Sequence, residues 1–243
     1  MSEKSYLAAS ENVDDDEVVR VGLNGFGRIG RNVFRAVMDN PKVELVGIND
    51  VMDFEDMAYL AKYDTVMGRL DEVSLDGEEL VAGDTAVSLF NIQSPAELPW
   101  DELDVDVALE CTGIFRTKQD ASAHLDAGAD KVIISAPPKG EEPVKQIVYG
   151  VNHDEYDGED VVSNASCTTN SVSPVAKVLD DEFGIESGLL TTVHAYTGSQ
   201  NLIDGPKAKT RRGRAAAENI VPTSTGAARA TTEMLPQLEG KLD

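Results

Sequence analysis

Cys167 stands in Ser163-Asn164-Ala165-Ser166-Cys167-Thr168-Thr169-Asn170, and His194 follows 27 residues later in Thr191-Thr192-Val193-His194-Ala195-Tyr196-Thr197. A thiol attacks carbon as the thiolate, a form that both an imidazole partner and the amide dipoles of a helix N-terminus favour. The residues after Cys167 read as a helix: Val172, Val175, Val178, Leu179 and Phe183 fall near a 3.6-residue period, with Pro174 expected in the first turn and Gly184 at the end. The spacing therefore places the thiol at the positive end of a helix, with His194 as its candidate acid-base partner.

A second constellation lies upstream. The β-branched run Val18 to Leu23 leads into Asn24-Gly25-Phe26-Gly27-Arg28-Ile29-Gly30, a Gly-x-Gly-x-x-Gly turn. A helix follows, with Ile29, Val33, Phe34 and Val37 as its expected buried face and Asn40-Pro41 as its stop. Val43 to Ile48 supplies the next strand, and Asp50 lies 20 residues beyond Gly30. Strand, glycine turn, helix, strand and carboxylate in this order form a dinucleotide-binding unit. The glycines admit a pyrophosphate at the helix N-terminus, and the carboxylate accepts hydrogen bonds from a ribose diol.

Further strands are expected at Val105 to Glu110, Lys131 to Ser135, Gln146 to Gly150 and Val161 to Ser163, with helices around Glu55 to Tyr63 and Lys118 to Ala127. Such alternation predicts an α/β fold, a Rossmann-type doubly wound parallel sheet with ligands at the carboxyl ends of its strands.

The 243 residues suffice for one large or two smaller domains, and 21 basic against 44 acidic residues give a net charge of -23. That excess argues against nucleic acid or an anionic membrane as a general partner, although a local basic loop can bind phosphate. It also predicts adaptation to concentrated salt, which screens the self-repulsion of an acidic surface. No apolar run is long enough to span a bilayer and no secretion signal opens the chain, so a cytoplasmic location is expected, with Cys111 and Cys167 as thiols. Met1 to Glu17 holds six acidic residues and one lysine and reads as a disordered extension. His124 and His153 read as surface or structural histidines, and three scattered histidines without a Cys-x-x-Cys pair offer no metal site.

Together, Asn24 to Arg31, Tyr63-Asp64-Thr65-Val66-Met67-Gly68-Arg69, Ser163 to Asn170, Thr192 to Thr197 and Thr223-Ser224-Thr225-Gly226-Ala227-Ala228 resemble, in order, the signatures of the phosphorylating glyceraldehyde-3-phosphate dehydrogenase family. The resemblance implies a dinucleotide-binding domain over 18–166 and the first part of a mixed-sheet α+β catalytic domain over 167–243, in a homotetramer. It implies oxidation of glyceraldehyde 3-phosphate with NAD and inorganic phosphate through a thioester on Cys167. Thr197 would then contact the substrate phosphate, with Ser166, Thr168, Thr225 and Gly226 around the attacking phosphate. Arg214, in Arg211-Arg212-Gly213-Arg214, would lie beside the same anion. The cofactor would meet Asn24, Gly25, Phe26, Gly27, Arg28, Ile29, Gly30 and Asp50, with Thr112, Gly113 and Ser135 at further strand ends. Cys111, where the family commonly has serine, reads as a packing residue beside the cofactor.

Several positions depart from the family. Ser199 stands where aspartate is frequent and Gln93 where arginine is frequent, whereas Ile203-Asp204-Gly205-Pro206 keeps the proline of NAD-using members. With Asp50 repelling a 2′-phosphate, NAD is expected, and NADP stays possible. Family members continue by roughly a third of this length beyond Asp243, so a partial sequence is expected. Two alternatives stay open: an erythrose-4-phosphate dehydrogenase, which hydrolyses its thioester, and a non-catalytic cofactor-binding fragment. A papain-like Cys-His hydrolase leaves the glycine turn unexplained.

Overall fold

A computed structural model describes residues 18–38 and 40–243; the acidic stretch Met1 to Glu17 lies outside the described residues. The chain divides into two compact units, one ending at Cys167 and the other covering Thr168–Asp243.

In the first unit β1 (Val19–Asn24), α1 (Arg28–Met38), β2 (Val43–Asn49) and α2 (Phe54–Lys62) follow one another. The short pair β3 (Tyr63–Asp64) and β4 (Gly68–Arg69) precedes β5 (Val73–Asp76), β6 (Glu79–Ala82) and β7 (Thr85–Phe90). Then come β8 (Val107–Glu110), α3 (Lys118–Ala121), α4 (Ala123–Asp126), β9 (Lys131–Ile134), β10 (Lys145–Gln146) and β11 (Val161–Ser163). Nine strands form one sheet in the order β10-β11-β9-β8-β1-β2-β7-β6-β5.

Alternation along the central strands builds a core on each face. Val21, Leu23, Leu45 and Ile48 pack with Phe34 of α1 and Met57 and Ala61 of α2. Val46, Ala108 and Val132 pack with Trp100 and with Ala121 and Ala127 from the α3–α4 side. Burial on both faces is what a doubly wound sheet requires of its strands. From β1 the chain first moves to β2 on one side and later returns to β8 on the other, so the carboxyl ends of β1 and β8 flank a topological switch point.

The sheet is mixed, whereas the alternation predicted parallel strands alone. β5, β6 and β7 form an antiparallel meander, and only β7 joins β2 in parallel. Gly77 and Gly83, both with positive φ near 60°, make its two turns, a conformation that glycine adopts without a Cβ penalty. The strand expected over Gln146–Gly150 shrinks to Lys145–Gln146. There Asn152 accepts from the Val148 amide at 2.9 Å and donates to the Gln146 carbonyl at 3.0 Å, closing a turn. The helix expected over Lys118–Ala127 is divided at Ser122, whose hydroxyl donates to the Lys118 carbonyl. Ile29, expected on the buried face of α1, is 46% exposed, and Gly30 and Phe34 are the buried residues of that helix.

α5 (Cys167–Phe183) begins at the last residue of the first unit and continues in the second, which also holds α6 (Ala227–Met234). Gly184, at φ 73°, ends α5, and its amide donates to the Asp180 carbonyl. Pro174 lies in the interior of α5 rather than in its first turn, and its ring nitrogen has no proton to give to the turn before it. Thr169, Ser173 and Ala176 are the buried residues of the helix, and Ser173 shares a 3.1 Å hydrogen bond with Thr231 of α6. Most of the apolar residues that mark the helical period face outward: Val175, Val178, Leu179 and Phe183 are 46–83% exposed. Among the described residues, the stretch between α5 and α6 forms one isolated parallel bridge, Gly188 with Leu242, and a 3-10 turn at Thr210–Gly213.

Candidate functional site

The dinucleotide turn is shaped by three glycines with three different reasons. Gly25 has φ 98°, and a Cβ there would lie 2.5 Å from the Thr112 amide nitrogen, so strand ends β1 and β8 close only on glycine. A Cβ at Gly30 would meet the Gly25 carbonyl oxygen at 2.0 Å, which seats the first turn of α1 against the loop. A Cβ at Gly27 would meet nothing within 4 Å, so the backbone there faces open space. A pyrophosphate needs this arrangement, a bare backbone with its amides at a helix N-terminus.

The other predicted cofactor residues fall into two groups. Asn24 and Phe26 are buried: Phe26 packs edge-on against Phe34 with ring centres 5.7 Å apart, and its carbonyl accepts from Arg31 at 2.8 Å. Arg28 forms a salt bridge with Asp64, whose carboxyl is held below its ordinary range first by the Met67 amide, and by the Val66 amide and Arg28 as well. Asp50 accepts from the Phe26 amide at 2.6 Å and from the Met52 amide at 3.1 Å. Across the switch point Thr112 takes up the turn after β8, Gly113 has φ 71°, and the Ser135 amide donates to the Glu110 carbonyl at 3.0 Å. Because β9, β8, β1 and β2 are consecutive in the sheet, Ser135, Thr112, Gly25 and Asp50 follow one another along one carboxyl edge.

Beyond β11 the chain turns sharply toward the thiol. Ala165, 1% exposed, is held at φ 55°, a costly region for a residue with a Cβ. Its amide donates to Ser163 Oγ, which donates in turn to the Ala136 carbonyl. The turn delivers Cys167 as the first residue of the 17-residue α5, exposed and followed by Thr168 on the same first turn. Cys111, by contrast, is buried, and desolvation raises its thiol to about 11 in spite of a hydrogen bond with Ser135.

In the second unit His194 is exposed, and its Nδ1 lies 2.6 Å from the Ala195 carbonyl oxygen. A carbonyl only accepts, so Nδ1 carries a proton toward it. Thr197 Oγ1 and Ser199 Oγ are 2.9 Å apart, and Arg212 donates to Ser199 in a short bond and to Thr223 in a longer one. Arg212 is thus linked to Thr197 through Ser199, whereas Arg214 forms a salt bridge with Asp204 at 2.8 Å. The resemblance puts Arg214 beside the attacking phosphate rather than beside Thr197, and in the structure its guanidinium is engaged with Asp204. Thr225 Oγ1 accepts from the Ala227 amide at 3.2 Å, and Gly226 precedes the first residue of α6.

Comparison with known proteins bears on both units. Residues 19–118 match the family profile described as "Glyceraldehyde 3-phosphate dehydrogenase, NAD binding domain", and residues 166–243 match "Glyceraldehyde 3-phosphate dehydrogenase, C-terminal domain". A glyceraldehyde-3-phosphate dehydrogenase of Haloarcula vallismortis is 72% identical over 229 residues, covering 93% of this chain and 68% of that protein. The chain belongs to the glyceraldehyde-3-phosphate dehydrogenase family. Bacillus subtilis glyceraldehyde-3-phosphate dehydrogenase 1 is 54% identical and the Geobacillus stearothermophilus protein of that name 53%, each over 228 residues with the same two coverages. The NAD-binding profile takes in the glycine turn, Asp50 and Thr112, and NAD is the cofactor of this domain. The second glyceraldehyde-3-phosphate dehydrogenase profile opens at Ser166, immediately before the thiol. Among the described residues no helix is long and apolar enough to cross a membrane.

Proposed function

We propose that the protein oxidises glyceraldehyde 3-phosphate to 1,3-bisphosphoglycerate with NAD and inorganic phosphate, the step shared by glycolysis and gluconeogenesis. The observation that carries this reading is Cys167 at the exposed first position of α5, inside the family's C-terminal match. The domain limits 18–166 and 167–243, a homotetrameric assembly and a cytoplasmic location belong to the same proposal.

The residues act in sequence. Cys167 Sγ gives its proton to His194 Nε2 and, as thiolate, bonds to the aldehyde carbon; the carbonyl π bond breaks, and the oxygen that gains charge accepts a hydrogen bond from the Cys167 amide and the proton from His194 Nε2. His194 Nε2 then takes the hydroxyl proton as the carbon is oxidised to a thioester. Bound NAD supplies the hydride acceptor for that oxidation. The backbone of Asn24 to Gly30 holds it, together with Asp50, Thr112, Gly113 and Ser135. Thr197 and Arg212 grip the substrate phosphate, while Ser166, Thr168, Thr225 and Gly226 present hydroxyls and amides to the attacking phosphate. A phosphate oxygen bonds to the thioester carbon, the C–S bond breaks, and Sγ departs as thiolate.

Product analysis tests this directly. NADH formation that depends on inorganic phosphate and yields an acyl phosphate is the expected result. A free carboxylate formed at the same rate without phosphate would favour the hydrolytic, erythrose-4-phosphate type of reaction. NAD binding without any turnover would leave a cofactor-binding module.

A further inference from the structure

Beneath the glycine turn lies a fully buried polar network that the reaction does not use. Glu110, at the end of β8, is 0% exposed, as is His124 of α4, and Asn24 and Asn49 at the ends of β1 and β2 are 2% and 3% exposed. Glu110 Oε2 accepts from Asn24 Nδ2 at 2.6 Å and lies 3.2 Å from His124 Nε2. Glu110 Oε1 accepts from the Thr112 amide at 2.8 Å and, in a short bond, from the Thr112 hydroxyl. Trp100 Nε1 donates to His124 Nδ1 at 3.0 Å, which leaves the ring proton on Nε2 and directs it at Glu110. Asn49 Nδ2 donates to Asn24 Oδ1 at 2.8 Å, while the Gly25 amide donates to the Asn49 carbonyl at 2.8 Å. Three neighbouring strand ends are thus joined side chain to side chain through one carboxylate with four donors.

We infer that Glu110 is a positioning residue for NAD: it sets the spacing between the Gly25 turn and the Thr112–Gly113 turn. The Thr112 amide that it holds is the atom that would stand 2.5 Å from a Cβ on Gly25, so the carboxylate grips one wall of the cofactor turn at its point of closest approach to the other. Glutamine has the same shape but one acceptor oxygen fewer. At position 110 its amide group must face either the Thr112 N–H or the N–H groups of Asn24 and His124, and no rotamer satisfies both sides. Asn24→Asp combined with Glu110→Gln reverses the polarity of the link. The new carboxylate at 24 accepts from the new amide and from His124 Nε2, 3.5 Å from the present Asn24 nitrogen, and keeps the acceptor that Asn49 uses.

The inference rests on the dinucleotide reading of the turn, and NAD titration of the unaltered chain by calorimetry tests that reading first; no binding there would refute the reading itself. Given binding, Glu110→Gln should raise the NAD dissociation constant, and KM for NAD in the active enzyme, by about tenfold or more. kcat at saturating NAD should fall no more than about threefold, since the reacting groups are untouched. The double substitution should return the dissociation constant to within about threefold of the original. Native NAD affinity in Glu110→Gln would overturn the inference. So would a folded double variant that still binds weakly, or failure of both variants to fold, which would make the network a requirement of folding alone.

Discussion

The Phe26 amide donates to Asp50 Oδ2 at 2.6 Å, so the carboxylate at the end of β2 is tied to the glycine turn that follows β1. Its other oxygen takes the Met52 amide, and each oxygen retains a second lone pair for a ribose hydroxyl. Asp50 therefore shapes the loop, and in the proposed function it also selects the cofactor. Asp50→Gly should raise KM for NAD by about tenfold, the effect of a lost charge-assisted hydrogen bond. The preference for NAD over NADP should narrow in the same variant. Steady-state kinetics with both cofactors measures this, and an unaltered enzyme that prefers NADP would contradict the role given to Asp50.

The two thiols should differ sharply in reactivity. Cys111 is buried with its thiol raised to about 11, so at pH 8 only about one molecule in a thousand carries the thiolate there. Iodoacetate should label exposed Cys167 first and abolish aldehyde oxidation, as should Cys167→Ser. His194→Asn should slow oxidation by roughly 100- to 10,000-fold while the fold is kept. Equal labelling of both cysteines in the native protein would refute the assignment.

Cys111 also links stability to alkaline pH. Its folded-state value of about 11 lies above the ordinary 9.0, so between those limits the unfolded chain releases the proton first and is favoured. The stabilisation of the neutral thiol is present below pH 9 and is lost as pH rises toward 11, by up to about 3 kcal/mol. Denaturant midpoints measured across that range should fall, and Cys111→Ser should flatten this part of the profile.

Arg212 and Arg214 should separate in kinetics. Arg212 bonds to Thr223 and to Ser199, which links it to Thr197, whereas Arg214 is engaged with Asp204. Arg212→Ala should raise KM for glyceraldehyde 3-phosphate or phosphate by at least about tenfold, the loss of one charged hydrogen bond. Arg214→Ala should act less, since an exposed ion pair contributes about 1 kcal/mol or below. The reverse order of effects would restore Arg214 to the anion site.

A net charge of -23 predicts a dependence on salt. Activity and thermal midpoint should both rise from about 0.1 M to molar potassium chloride, as the screening length shortens from about 10 Å to about 3 Å. Unchanged activity and midpoint at low salt would exclude salt adaptation.

Those parts of the molecule with strong local rules were legible in the sequence. β1, the glycine turn, α1 and β2 follow from β-branched runs, glycine spacing and a 3.6-residue period, all of which act within a few residues. The β5–β6–β7 meander escaped because its strands are short and partly exposed, although the Asp76-Gly77 turn was a readable hairpin signal. Periodicity also could not tell which face of α5 packs: Ser173 and Ala176 are buried while Val178 and Phe183 are exposed. The Glu110 network was out of reach for a different reason. Its members are separated by up to 100 positions, and each alone looks like an ordinary polar residue.

Trp100, the one tryptophan of the chain, is 0% exposed, lies against Gly22 and Gly47 where a Cβ would meet its ring at about 3 Å, and is hydrogen-bonded to His124. The chain therefore contains a single indole emitter, buried against one face of the central strands of its sheet. Its fluorescence should be blue-shifted and shielded from dissolved quenchers in the native state, then move red when water reaches the strands β1 and β2. One optical signal, with no added label, thus reports the integrity of the layer on which the cofactor turn is built.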